Sequence, residues 1–164
     1  MKDQKFKIRR FISLVFLSFF GTGYFPKAPG TVGSIATLPL IFIISQSMFT
    51  FNQVLIATFL LFVLACLIAD KIQKEDKIHD PGWIVIDEVI GMLATWLFVF
   101  PSTKPIDLLL VLITFRFFDI IKIYPASWFD KEVTNGIGTI IDDVISALYA
   151  GITIISVKYL LTIL

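Results

Sequence analysis

Long apolar runs recur from one end of the chain to the other, and few architectures accept them. Mean hydropathy is +0.87. Of the 164 residues, 57% are hydrophobic and only 16% are charged. A soluble domain of this length carries roughly a quarter charged residues. A helix needs about 20 apolar residues to cross a hydrocarbon core of ~30 Å. The expected fold is all-α: a polytopic transmembrane helical bundle forming a single membrane-embedded domain over residues 1–164. About five spanning helices are predicted, over residues 32–51, 53–69, 84–100, 106–123 and 140–161.

The N-terminal segment, residues 1–20, resembles a signal peptide in outline. Lys2, Lys5, Lys7, Arg9 and Arg10 precede a short apolar run at 11–20. No small-residue cleavage site follows, and the run is too short to span. It is expected to be retained, as an interfacial or re-entrant segment. With five spans, the longer polar segments 21–31, 70–82 and 124–139 fall on the same side as the N-terminus. Most lysines and arginines lie there, so that side is expected to be cytoplasmic. Lys104 and Lys158 are the main exceptions, and the head of Lys158 is expected to reach the far interface. Trp83, Trp96, Tyr124 and Trp128 lie near predicted helix ends, as interfacial aromatics do. A net charge of +1 gives no pull toward nucleic acid. Cys66 is the single cysteine, placed within an apolar run, so it reads as a small core residue.

Two acidic pairs break the apolar pattern: Asp87-Glu88 and Asp142-Asp143. A carboxylate near a bilayer centre costs at least ~2.5 kcal/mol, so retained ones point to function. Each pair lies in the first turns of a predicted helix entering from the cytoplasmic side. Arg116, Asp119 and Lys122 lie in the last turns of the helix returning there. Neighbouring residues on a helix point about 100° apart, so each pair is expected to have one inward member. Carboxylates at a single depth repel one another unless a cation joins them, and Mg²⁺ takes carboxylate and phosphate oxygens. Acids at helix N-termini also complement the helix dipole. Arg116, Asp119 and Lys122 follow i, i+3 spacing, which suits ion pairing at a helix end and equally an Arg and a Lys aimed at an anion.

The run Pro29-Gly30-Thr31-Val32-Gly33-Ser34 opens the first predicted span, with Lys27 nearby. Backbone N–H groups at such a terminus bind anions, although Gly and Pro also simply mark loops. Other chemistries lack their residues. Ile72 stands where a cysteine phosphatase would need arginine, and His79 alone supports neither a zinc site nor a Ser-His-Asp set.

Four motifs occur in order: Gly21-Thr22-Gly23 with Pro26-Lys27-Ala28-Pro29-Gly30-Thr31-Val32-Gly33-Ser34; His79-Asp80-Pro81 with Ile86-Asp87-Glu88-Val89-Ile90-Gly91; Phe115-Arg116-Phe117-Phe118-Asp119-Ile120-Ile121-Lys122; and Gly136-Ile137-Gly138 with Asp142-Asp143. Together they resemble the phosphatidylglycerophosphatase A family over roughly residues 21–151. The resemblance implies a bacterial inner-membrane, Mg²⁺-dependent enzyme that removes the terminal phosphate of phosphatidylglycerophosphate. Two positions depart from the family pattern. Ile123 stands where proline commonly follows the lysine matching Lys122. Asn135 stands where a second glycine is common, and asparagine tolerates the left-handed turn expected there.

From both lines, metal is expected among Asp87, Glu88, Asp142 and Asp143, with Asp119 a further candidate. Those two pairs are also the expected catalytic carboxylates. Lys27, Gly30, Thr31, Ser34, Arg116 and Lys122 are the expected phosphate contacts. Water attack and an aspartyl-phosphate route both fit. A phosphatase for another phospholipid monoester, or an ion carrier, are the alternative functions.

Overall fold

The computed structural model describes residues 2–163. Met1 of the basic segment and Leu164 of the last apolar run lie outside them. Seven α-helices form, joined by two 3₁₀ turns, with no strand among the described residues. Helix α1 (Lys2–Leu17) carries the basic segment and most of the short apolar run. Arg10 ties it to the end of α3 through Asp76, at 2.7 Å.

Local chemistry explains where the helices begin and end. Pro29 opens α2 (Pro29–Gln46) with its φ already helical. Thr50 and Gln53 form a capping box at the start of α3 (Phe51–Asp76). Pro105 likewise opens α5 (Pro105–Ile121), and Lys122 ends it in the left-handed conformation. Asn135 does not adopt the left-handed conformation expected of it. Its Oδ1 instead accepts the N–H groups of Ile137 and Gly138, capping α7 (Gly136–Ile163).

Helices α2, α3 and α7 are long and apolar enough to cross a membrane. Their outward faces carry exposed side chains such as Ile43, Leu60, Leu67 and Ile155, as a lipid-facing surface would. The third predicted span is shorter than expected. It forms α4 (Ile86–Trp96) and then tightens into a 3₁₀ turn at Leu97–Val99. Helix α4 is the centre of the bundle, packing on α2, α3, α5 and α7. Val89, Met92 and Trp96 on it are completely buried. Trp96 is therefore a core residue and not an interfacial one; its indole N–H donates to the carbonyl of Ser102 at 2.8 Å. The segment 124–139, expected to be a loop, holds a short helix α6 (Ala126–Glu132).

The end of the bundle opposite the acidic pairs holds a buried carboxylate with a basic partner. Lys158 does not extend outward as expected. Its ammonium donates to the buried Asp107 at 2.8 Å, and Ser102 supplies a second contact to the same carboxylate.

Helix α7 packs tightly on α3 at Gly136. A Cβ there would fall on the Cys66 carbonyl and the Asp70 amide, both backbone groups that cannot move aside. Gly136→Val is expected to cost about 1–3 kcal/mol by overpacking. A thermal unfolding scan in detergent checks this, and an unchanged transition would contradict the close approach.

Candidate active site

Three helix N-termini and one C-terminus converge at one end of the bundle. Ala28, Pro29 and Gly30 come from the start of α2. Asp87 and Glu88 come from the first turn of α4. Arg116, Asp119 and Lys122 come from the end of α5, and Thr139, Asp142 and Asp143 from the start of α7. Together with Asp80, Gly82 and Ile84 they enclose a cavity of about 210 Å³. The positive ends of the α2, α4 and α7 dipoles thus face a shared concentration of carboxylates.

The acidic pairs do not divide into inward and outward members. All four acids line the cavity, and Asp142 and Asp143 are both only 3% exposed. Six carboxylates and two cations line it in all. Buried charge of one sign is costly unless a cation or a proton offsets it.

The ion pairs sort these acids by role. Arg116 Nη1 lies 2.5 Å from Asp119 and 3.4 Å from Glu88. Lys122 bridges Asp142, at 2.7 Å, and Asp130 of α6. Asp119 and Asp142 therefore already have cationic partners. Asp87, Glu88 and Asp143 form a second group, with one oxygen from each within 4.8 Å of the others, and Glu88 joins it to Arg116 through the 3.4 Å contact. Such a set of carboxylate oxygens suits a hard divalent cation.

The unpartnered atoms point the same way. Among the described residues, Glu88 Oε2, Asp142 Oδ1 and Asp143 Oδ2 are buried acceptors without a hydrogen-bond partner, and Arg116 Nε is a buried donor without one. Native proteins rarely leave such groups alone. The three acceptors call for a cation or a donor, and the guanidinium calls for an anion.

Gly30 explains how the α2 terminus fits against this group. A Cβ at Gly30 would overlap Glu88 Oε1 and lie 2.9 Å from Arg116 Nη1. The residues predicted to help it are placed differently. Ser34 is fully buried and donates to the Gly30 carbonyl at 2.9 Å, so it stabilises the first turns of α2. Thr31 and the exposed Lys27 lie outside the cavity lining.

Three contributors were not singled out from sequence. Asp80 lines the cavity from the loop before α4. The residue is exposed overall, but desolvation of its carboxylate raises its pKa above the usual range; Lys122 opposes that shift and Asp130 adds to it. Its place in His79-Asp80-Pro81 was the available signal. Thr139 receives a 2.8 Å hydrogen bond from Gln73 of α3. Asp130 left no signal, because its helix was not expected.

The fold and site define a helical membrane protein with carboxylates and basic groups gathered in one cavity at the bundle's end. The phosphatidylglycerophosphatase A family model matches residues 15–158, and the chain belongs to that family. Phosphatidylglycerophosphatase A of Haemophilus influenzae is 39% identical over 140 residues, covering 85% of each chain. The Escherichia coli protein of the same name is 31% identical over 129 residues, covering 79% of this chain and 73% of its own. A Bacteroides thetaiotaomicron protein, provisionally named a phosphatidylinositol-3-phosphatase, is 27% identical over 146 residues, covering 87% of this chain and 91% of its own. No solved structure matches the chain.

Proposed function

We propose that this protein hydrolyses the terminal phosphate monoester of phosphatidylglycerophosphate, releasing phosphatidylglycerol and inorganic phosphate. The observation that carries the reading is the set of buried, unpartnered oxygens beside an unpartnered Arg116 Nε. Family membership supplies the lipid.

In this reading Asp87, Glu88 and Asp143 hold Mg²⁺, which when bound neutralises phosphate charge and makes a water more acidic. Arg116 contacts a phosphate oxygen through Nε while Asp119 fixes the rest of its guanidinium. Lys122 is aimed at the substrate by Asp142 and Asp130. Asp142 keeps one oxygen on Lys122 and one free. That free Oδ1 orients a water for in-line attack on phosphorus and takes its proton. The bond from phosphorus to the lipid glycerol oxygen breaks as the new one forms, and that oxygen takes a proton from water to leave as the hydroxyl of phosphatidylglycerol.

Placement at the end of the helices lets the acyl chains stay in the bilayer. Arg10, Lys74, Lys77 and Lys122 gather at the same end as the cavity, which supports a cytoplasmic active site in the bacterial inner membrane. A second reading, a phosphatase for another phospholipid monoester, draws on the name of the Bacteroides relative.

The test is phosphate release from purified protein in detergent, with phosphatidylglycerophosphate, phosphatidic acid and phosphatidylinositol 3-phosphate compared. Preference for phosphatidylglycerophosphate, lost on chelation and restored by Mg²⁺, is expected. Preference for either other lipid moves the assignment to the second reading. Indifference to the chelator removes the metal.

A further inference from the structure

Outside the catalytic cavity, a groove runs along α3 and α7. Its apolar part consists of two cavities that share Phe62 and Ile141. One, of about 460 Å³, is walled almost entirely by apolar side chains, Phe59 and Leu148 among them. The other, of about 530 Å³, continues past Leu67 to Asp70, Lys74 and Asn135. Those three residues also border a smaller cavity of about 230 Å³, where Lys77 and His79 join them. The groove thus passes from a hydrocarbon-like interior to a basic mouth along its own length.

We propose that this groove is a binding site for one anionic phospholipid, separate from the catalytic cavity. Its polarity follows that of a phospholipid, with room for tails at one end and cations for a phosphate at the other. Lys74 pairs with Asp70 at 2.6 Å, so its charge is partly spent. Lys77 forms no ion pair among the described residues and holds its exposed ammonium at the mouth. A net-neutral headgroup would bring its own ammonium toward that charge, so an anionic lipid is favoured.

The mouth lies directly behind the catalytic wall. Gln73 borders the small cavity and donates to Thr139, which lines the catalytic one. His79 borders the groove while its neighbour Asp80 lines the catalytic cavity. The two headgroup positions are therefore adjacent but walled apart.

Native mass spectrometry of delipidated protein, titrated with dioleoyl phosphatidylglycerol and with dioleoyl phosphatidylethanolamine, tests this. Wild type is expected to hold one phosphatidylglycerol about tenfold more tightly than phosphatidylethanolamine. Lys74→Gln with Lys77→Gln should abolish the preference, and Lys74→Arg with Lys77→Arg should keep it. Arg116→Gln, which alters only the catalytic cavity, should also keep it. Equal binding of the two lipids by wild type overturns the proposal. So does a preference that survives the glutamine pair but disappears in Arg116→Gln, which would place the lipid in the catalytic cavity.

Discussion

Asp143→Asn is expected to lower phosphate release from phosphatidylglycerophosphate by about 10³-fold or more, with the protein still folded. Asparagine keeps the volume and one oxygen, so packing at the start of α7 survives. What disappears is a negative charge from the group formed with Asp87 and Glu88. Among the described residues no cationic side chain pairs with Asp143, unlike Asp119 and Asp142. Losing its charge should therefore relieve carboxylate crowding, and stability should hold or rise while activity collapses. The pairing of those two effects separates a functional acid from a structural one. Activity within about tenfold of wild type would remove Asp143 from the mechanism.

Gly30→Ala is expected to reduce turnover by about 10²-fold. The added methyl meets the carboxylate of Glu88 and the guanidinium of Arg116, both at the ends of flexible side chains. Those ends can shift, so α2 should still form, and alanine is a better helix former than glycine. The shift nevertheless displaces a group assigned to the metal together with one assigned to the phosphate. Steady-state kinetics beside a thermal scan checks this. A folded variant with normal turnover would show that Glu88 and Arg116 tolerate displacement, contrary to their assigned roles.

The sequence revealed most of the site because its signals were energetic. Charges inside apolar runs are rare, and Asp87, Glu88, Arg116, Asp119, Lys122, Asp142 and Asp143 are the ones the fold brings together. Pairwise assignments were less legible. Nothing along the chain shows that Lys122 reaches Asp142 rather than its i, i+3 neighbour Asp119, since that depends on how α5 packs against α7. Asp130 was out of reach for the same reason, and because α6 is a single short helix without apolar periodicity.

Position near helix ends predicts interfacial roles for Trp96 and Lys158. The fold gave them specific partners instead, the Ser102 carbonyl and the buried Asp107. Hydropathy marks which residues can enter a membrane, but it does not separate lipid-facing helices from one enclosed by its neighbours, as α4 is.

In the proposed site Asp87, Glu88 and Asp143 bind a divalent cation while Asp142 serves Lys122. Electron paramagnetic resonance of Mn²⁺ titrated into metal-free protein tests it most directly. Bound Mn²⁺ is predicted in wild type and in Asp142→Asn, and should be lost in Asp143→Asn. Equal binding by wild type and Asp143→Asn, or loss of the ion in Asp142→Asn alone, would contradict that division.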